Sequence, residues 1–444
     1  MAARLPIPQM LAAIRTDSAP PVGILLVTAA NAISGSPLAL RLPSALAGAA
    51  AVPIGAALGR RVGGPRAGLL AGAAVAVMPS LVLHSRDLRM YGLAATLAVL
   101  SALLTWRAAE SPTRGRLLAL TACVVVALHT HYFTGIAIAG QLLAVAIALR
   151  PGRAALVRVC AAAAAGLALT VPWLLYAQAQ FQHAGTPFWV APFDLAHLED
   201  LWQEFVAGYN IDWSYPAARL VNYSRFVAAA VAAVGGLALV GWYRQAQPPA
   251  RRRLAYLALT GAIPVLSLLV ISVGRPLFDE RYASILWATL VPAVGVGLSW
   301  VWGRVRIAGP AIAGVVIAVL AVVAVVMGLN PPNPDVRPAI KVLNATTHPG
   351  DFVAVAGVHH YFTLLYYADP DIRPRAHVVA AEAHWYDGTA LYRPDTLVTE
   401  VPADVPGRVV LLTDETRQPT PMPPGFQRVA RECREQVCIE TWSR

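Results

Sequence analysis

Between residues 42 and 328 the sequence alternates apolar runs with short loops that carry arginine, and this alternation leaves few folds open. A helix needs about 20 apolar residues to cross a bilayer. Runs approaching that length occupy 42–59, 67–84, 91–107, 117–131, 133–149, 155–177, 224–243, 254–273, 283–302 and 307–328. Inside hydrocarbon the backbone must satisfy its own hydrogen bonds, and an α-helix does so within one segment. The expected fold is therefore mainly α, a polytopic membrane bundle of about ten spans. With 57% hydrophobic and 13% charged residues and a mean hydropathy of +0.56, an ordinary soluble enzyme is excluded.

The net charge of +11 comes from arginine, Lys341 being the only lysine. The arginines recur in every second loop: Arg60, Arg61 and Arg66; Arg107, Arg114 and Arg116; Arg150, Arg153 and Arg158; Arg244 with Arg251 to Arg253; Arg304 and Arg306. That spacing marks the cytoplasmic loops of a membrane protein and not a nucleic-acid surface. The other loops then face outward, and they hold most of the acidic residues of the membrane part: Asp87, Asp194, Glu199, Asp200, Glu204, Asp212, Asp279 and Glu280. Spans without ionisable residues at their middle, and no visible internal repeat, argue against a transporter.

The most concentrated outward stretch is His84-Ser85-Arg86-Asp87-Leu88-Arg89-Met90-Tyr91. One arginine there is explained by its apolar stem lying along the helix while the guanidinium reaches the headgroups. The whole set, at helical spacing, points to a site for a phosphorylated ligand. In the long loop 178–222, Leu195, Leu198, Leu201, Trp202 and Phe205 follow Asp194 at helical spacing, and Gly208 can end the helix. This amphipathic helix is either an interfacial anchor or a cover over a lipid-linked substrate. The apolar run Pro21 to Ile33 is short for a span and either crosses or lies at the outer interface. Met1 to Ser18 lacks an apolar core, so membrane insertion is expected to rest on the internal spans.

After Leu329 the stiff Asn330-Pro331-Pro332-Asn333-Pro334 leads into a sequence with a soluble rhythm. Helices are expected near 337–346 and 360–368, a turn at Pro349-Gly350-Asp351, and strands near 352–356, 377–381, 409–413, 426–430 and 437–441. The division is thus 1–41, a bundle at 42–329, and a small α/β domain at 330–444 on the extracytoplasmic side. Cys433 and Cys438 can close a hairpin by a disulfide if that domain is outside. Cys123 and Cys160 fall in apolar runs and read as small core residues.

Several short motifs carry a family resemblance. Asp17-Ser18-Ala19-Pro20-Pro21, Leu40 to Gly48, Gly59-Arg60-Arg61, Ala67 to Ala71, Ser85 to Tyr91, His131-Tyr132-Phe133 and Pro276 to Tyr282 stand in the order seen in membrane glycosyltransferases of the GT-C class. The chain resembles bacterial relatives of the dolichyl-phosphate-mannose protein mannosyltransferases and the lipid A aminoarabinose transferases. The resemblance implies transfer of a sugar, mannose-like by analogy, from a polyprenyl-phosphate donor to a glycan, lipid or protein acceptor outside the cytoplasmic leaflet. The alanine-, arginine- and proline-rich, lysine-poor composition suggests a bacterial plasma membrane.

Such a reaction needs a carboxylate to take the acceptor's proton and cations to stabilise the departing lipid phosphate. Arginine suits the second task, staying charged and gripping phosphate oxygens in two places. Arg281 with Tyr282 is the first candidate for the donor phosphate and Arg89 the second; Arg86, Tyr91 and His131 line the site. Asp87 can orient the acceptor, hold a divalent cation, or pair Arg89; apart from that possibility no cofactor or metal is expected. Asp279 and Glu280 are expected to balance Arg275 and Arg281, and His129 to be satisfied by backbone. In the family an outward loop after a first span bears an Asp-Glu pair whose aspartate is the base, and neither span nor pair precedes Asp17 here. Three explanations stand: a start assigned too late, an inactive remnant, or Asp17 or Asp87 in the base's role. The alternative function is then a catalytically inactive protein that keeps the lipid-phosphate pocket and serves binding or assembly.

Overall fold

The computed structural model of the protein describes residues 5–16, 19–182, 190, 192–207, 233, 235–305, 307–329, 335–380, 391–392, 395–415 and 419–444. The chain forms two compact units, Ala19–Asn330 and, separately, Pro331–Arg444 together with Met1–Ser18.

The first unit is a polytopic helical bundle. Among the described residues six helices are long and apolar enough to cross a membrane: Pro37–Val77, Tyr91–Glu110, Arg153–Tyr176, Pro248–Gly274, Glu280–Arg304 and Ala308–Leu329. The count falls short of about ten for local reasons. Pro37–Val77 is two arms joined at Gly64, whose φ of 82° is open to glycine and strained for other residues. The arms lie side by side so closely that a Cβ on Gly59 would stand 2.7 Å from the Ala67 carbonyl oxygen. The expected runs 42–59 and 67–84 are therefore both present, the second arm breaking at Met78 and resuming as Pro79–Ser85. Runs 117–131 and 133–149 fold as the shorter helices Arg114–Leu128 and Thr134–Ala144, the latter continued by a π-turn at Val145–Leu149. Run 224–243 lies mostly outside the described residues, with helix from 235 to 245. Pro21–Ile33 is a helix of 13 residues. At about 1.5 Å per residue it is shorter than the hydrocarbon core.

Backbones approach closely at glycines in this bundle, as at Gly295 against Leu70 and Ala71, an arrangement common where lipid is as apolar as leucine. Its largest buried side chains meet edge to face, Trp106 against Tyr256 at 5.1 Å, and the Tyr256 hydroxyl donates to the Ala102 carbonyl at 2.7 Å. Cys123 is buried as expected, whereas Cys160 is exposed on the surface of Arg153–Tyr176.

The second unit carries a six-stranded sheet: β1 Phe352–Ala356, β2 Ala376–Val379, β3 Leu397–Val398, β4 Val409–Asp414, β5 Gln427–Arg434 and β6 Val437–Ser443. The order is β3-β2-β1-β4-β6-β5; the first four are parallel, and β6 runs antiparallel to both neighbours. Alternation builds both faces. Val353, Val355, Val410 and Leu412 pack with Ile340, Leu343 and Leu364 of the helices Arg337–Thr346 and Tyr361–Tyr367. Ala354, Ala356, Val409 and Leu411 pack with Val401, Val405 and Phe426 on the other face. Every expected helix and strand of this part is present, and β3, two residues long with no readable period, is an addition.

Two local devices hold the sheet. Glu435 and Gln436, both at positive φ, make the tight turn between β5 and β6, and Cys433 and Cys438 face each other in register and form the expected disulfide. At the start of β1, Asp351 accepts from Arg408 Nη2 at 2.7 Å and from the His348 amide at 2.6 Å. Burial pushes the Asp351 carboxyl up, but the Arg408 hydrogen bond, the His348 amide and the charges of both residues outweigh it and hold the group below its usual range.

Candidate active site

Three connections of the bundle converge on one aromatic cluster. Tyr91 begins the helix Tyr91–Glu110, His131 lies between Arg114–Leu128 and Thr134–Ala144, and Arg281 with Tyr282 occupies the first turn of Glu280–Trp287. Gly92 permits the first of these: a Cβ there would stand 2.6 Å from the His84 carbonyl oxygen, so the helix can start against Pro79–Ser85.

The rings form a continuous wall. Tyr91 lies 5.6 Å from both His84 and His131 and 6.3 Å from Tyr282. His131 lies 5.5 Å from Tyr282, and Phe133 stacks on Tyr282 at 4.5 Å with 20° between planes. Arg281 is placed against this wall, its Cζ 6.0 Å from the Tyr91 ring centre. Asp279 holds it there. The carboxylate takes Arg281 Nε at 2.9 Å and Nη2 at 3.3 Å, and caps the helix by accepting the Arg281 amide at 3.0 Å. Asp279 is 6% exposed while Arg281 is 42% exposed, so the carboxylate is buried behind a cation that reaches outward. This is the pairing expected for Asp279.

His131 accepts the Phe133 amide at Nδ1 over 3.2 Å, which in the neutral ring leaves its proton on Nε2. Of the other candidates, Asp87 and Arg89 lie in the turn that leads into Tyr91. Asp87 closes its own turn by accepting the Arg89 amide at 3.2 Å, and the Arg89 carbonyl accepts the Ser44 hydroxyl at 3.3 Å. Among the described residues Asp87 does not gather with two further metal-type ligands. Arg86 turns to the Gly328 carbonyl at 2.9 Å and is not part of the ring wall. His129 bonds the Val125 carbonyl at 2.8 Å, as expected of a backbone-satisfied histidine. Asp17 lies outside the described residues.

His84, a member of the His84 to Tyr91 set, joins the wall, and so does Phe133, to which the sequence assigns no role of its own. Phe133 ends the motif His131 to Phe133, but nothing in a linear pattern says which rings will meet. The amphipathic helix is present at Ala196–Ala207, capped by Asp194, which accepts the Ala196 amide at 2.8 Å. It packs beside the arginine-bearing helix, with Phe205 5.3 Å from Trp287 and His197 5.6 Å from Phe278.

Comparison with known proteins agrees with the motifs. Residues 18–176 match the family model of dolichyl-phosphate-mannose-protein mannosyltransferases. Sequence comparison with curated proteins gives no match. In fold the chain is similar to apo ArnT from Cupriavidus metallidurans, with a TM-score of 0.60 at 16% identity over 96% of this chain and 87% of that one. The same protein bound to undecaprenyl phosphate gives 0.53 at 14% identity, over 96% and 88%. The Archaeoglobus fulgidus oligosaccharyltransferase aligns at 0.49 and 13% identity, over 89% of this chain and 59% of that one. The resemblance to GT-C membrane glycosyltransferases is borne out in the fold of the whole chain and in the sequence of the first helices.

Proposed function

We propose that the protein is an integral-membrane glycosyltransferase that moves a sugar from a polyprenyl-phosphate donor to an extracytoplasmic acceptor. The observation that carries this reading is the Arg281–Asp279 pair set against the aromatic wall. A guanidinium held at two nitrogens by a buried carboxylate keeps its direction, and its outward reach suits the oxygens of a leaving lipid phosphate. Tyr91, His131 and Tyr282 offer ring faces to a sugar and polar atoms to its hydroxyls. The acceptor oxygen attacks the anomeric carbon as the bond from that carbon to the phosphate oxygen breaks. The lipid phosphate leaves with the bonding electrons, and a carboxylate takes the acceptor's proton. The mannosyltransferase family match and the ArnT-like fold, in a protein crystallised with undecaprenyl phosphate, support this donor class. The sugar we propose is mannose-like, after the matching family.

The test is turnover of an undecaprenyl-phosphate sugar by the purified full chain in lipid nanodiscs. Release of undecaprenyl phosphate, lost in Arg281→Ala with helicity intact, is the expected result. A second reading, lipid-phosphate binding without turnover, is favoured by one observation: Asp279 and Asp87 are both engaged in holding neighbouring groups. Saturable binding of undecaprenyl phosphate with no release of product from any sugar donor would select it.

A further inference from the structure

Away from the aromatic cluster, the Gly59 region of the hairpin and the far end of Tyr91–Glu110 form an open cavity of about 410 Å³ lined by Ala57, Arg60, Arg61, Leu103 and Arg107. From Ser44 to Arg60 and from Tyr91 to Arg107 the distance along each helix is about 24 Å, so this cavity lies toward the other end of the bundle.

Its three arginines are not equivalent. The Arg61 guanidinium is paired with Glu110 and lies 5.6 Å from the Trp106 ring centre. The Trp106 indole N–H donates to the other Glu110 oxygen at 2.7 Å, which fixes the carboxylate from a second side. Arg60 and Arg107, by contrast, meet no carboxylate among the described residues. One carboxylate against three guanidiniums leaves the cavity with two uncompensated positive charges. Arg60 and Arg107 are exposed, so an anion can reach both from outside. One helical turn deeper, Ala57 stands below Arg61 and Leu103 below Arg107, so the floor is apolar while the rim is cationic.

We infer that this cavity binds a phosphate group carried on an apolar chain, the headgroup of an anionic phospholipid. Arg60 and Arg107 grip the phosphate oxygens, Arg61 and Glu110 form the rigid side, and Ala57 and Leu103 meet the first methylenes of the lipid. The site is separate from the transfer site, and neither depends on the other.

The test is native mass spectrometry of the full chain titrated with dioleoyl-phosphatidylglycerol and, in parallel, dioleoyl-phosphatidylcholine. The double variant Arg60→Gln with Arg107→Gln is expected to bind phosphatidylglycerol about 30-fold more weakly than the native chain, with phosphatidylcholine unchanged. Should the double variant not fold, Arg107→Gln alone is expected to lose about fivefold. Equal phosphatidylglycerol binding by native and variant chains overturns the site. Inorganic phosphate displacing the lipid at low millimolar concentration assigns the cavity to soluble anions and overturns the lipid reading. Arg281→Ala is the reference: it is expected to keep full phosphatidylglycerol binding, so failure of this site and failure of the transfer reading are told apart.

Discussion

Two arginine–aspartate pairs in this protein have nearly the same local chemistry and different surroundings. In each the carboxylate is 6% exposed, with its arginine 42% exposed at Arg281–Asp279 and 34% exposed at Arg408–Asp351. Around Arg408 lie backbone and the His348 ring: its Nη2 meets His348 Nδ1 and donates to the Thr346 carbonyl at 2.8 Å, tying the end of a helix to the start of β1 and β4. Around Arg281 stand the rings of Tyr91 and Tyr282. An ion pair is not a site by itself. What it faces decides whether it fastens a fold or presents a cation to a ligand.

The sharpest way to separate the two is to remove the arginine from the bundle pair. Arg281→Ala is expected to lower transfer by about 10² to 10³, the size seen when one donor to a developing anion is lost. Because Arg281→Ala leaves the buried Asp279 unpaired, it should also cost about 2 kcal/mol on thermal unfolding. Removing both partners in Arg281→Ala with Asp279→Ala relieves that cost, and transfer restored in the double variant would make Arg281 a structural residue like Arg408.

The reverse holds in the second unit. Asp351→Ala leaves Arg408 without its buried partner, expected to cost about 2 kcal/mol after allowance for the partly exposed guanidinium. Hydrogen exchange of the β1 and β4 amides reads this loss, while transfer by the same variant should stay near native. The pair also predicts a direction with pH. The folded carboxyl lies below its unfolded value of about 3.9, so its contribution is fully present above that pH and fades as pH falls through the lower folded value. Protection of these strands should fall with acid in the native chain and respond less in Asp351→Asn. An equal response in both would mean that other groups govern acid sensitivity.

Breaking the β5–β6 disulfide tests whether the second unit rests on its pairs alone. Cys433→Ser with Cys438→Ser is expected to cost about 2 kcal/mol by loop closure, read as faster proteolysis of the hairpin. The smallest effect is expected from Asp279→Asn, which keeps a capping side chain while removing the charge. Transfer should drop about tenfold from a less firmly held Arg281. A drop as large as that of Arg281→Ala would give Asp279 a direct part in the chemistry.

Much of this was legible in the residues because the physics was local. Continuous apolar runs at Phe352–Ala356 and 409–412 announced strands, which the structure buries almost throughout, and the spacing of Cys433 and Cys438 announced a hairpin. Asp194 marked its helix start because a capping side chain needs only neighbours in sequence. The motif order placed Tyr91, His131, Arg281 and Tyr282 in one site, and the fold brings their side chains together. Other features depended on contacts far apart in the chain. Arg86 was read as a site-lining residue from its neighbours, yet it is held by the Gly328 carbonyl, a partner 242 residues away. His84 and Phe133 join the wall for a similar reason: a ring has no sequence mark of which other ring it will meet.

The sequence by itself determined that the chain is a membrane bundle with a small α/β unit, because hydropathy, alternation and turn chemistry act over a few residues. Only the tertiary structure decided that Gly64 folds two runs into one hairpin, that Phe133 stacks on Tyr282, and that Arg60, Arg61 and Arg107 share a cavity. Those outcomes rest on backbone approach and on charge neighbours between helices, and such distances exist only once the helices have packed.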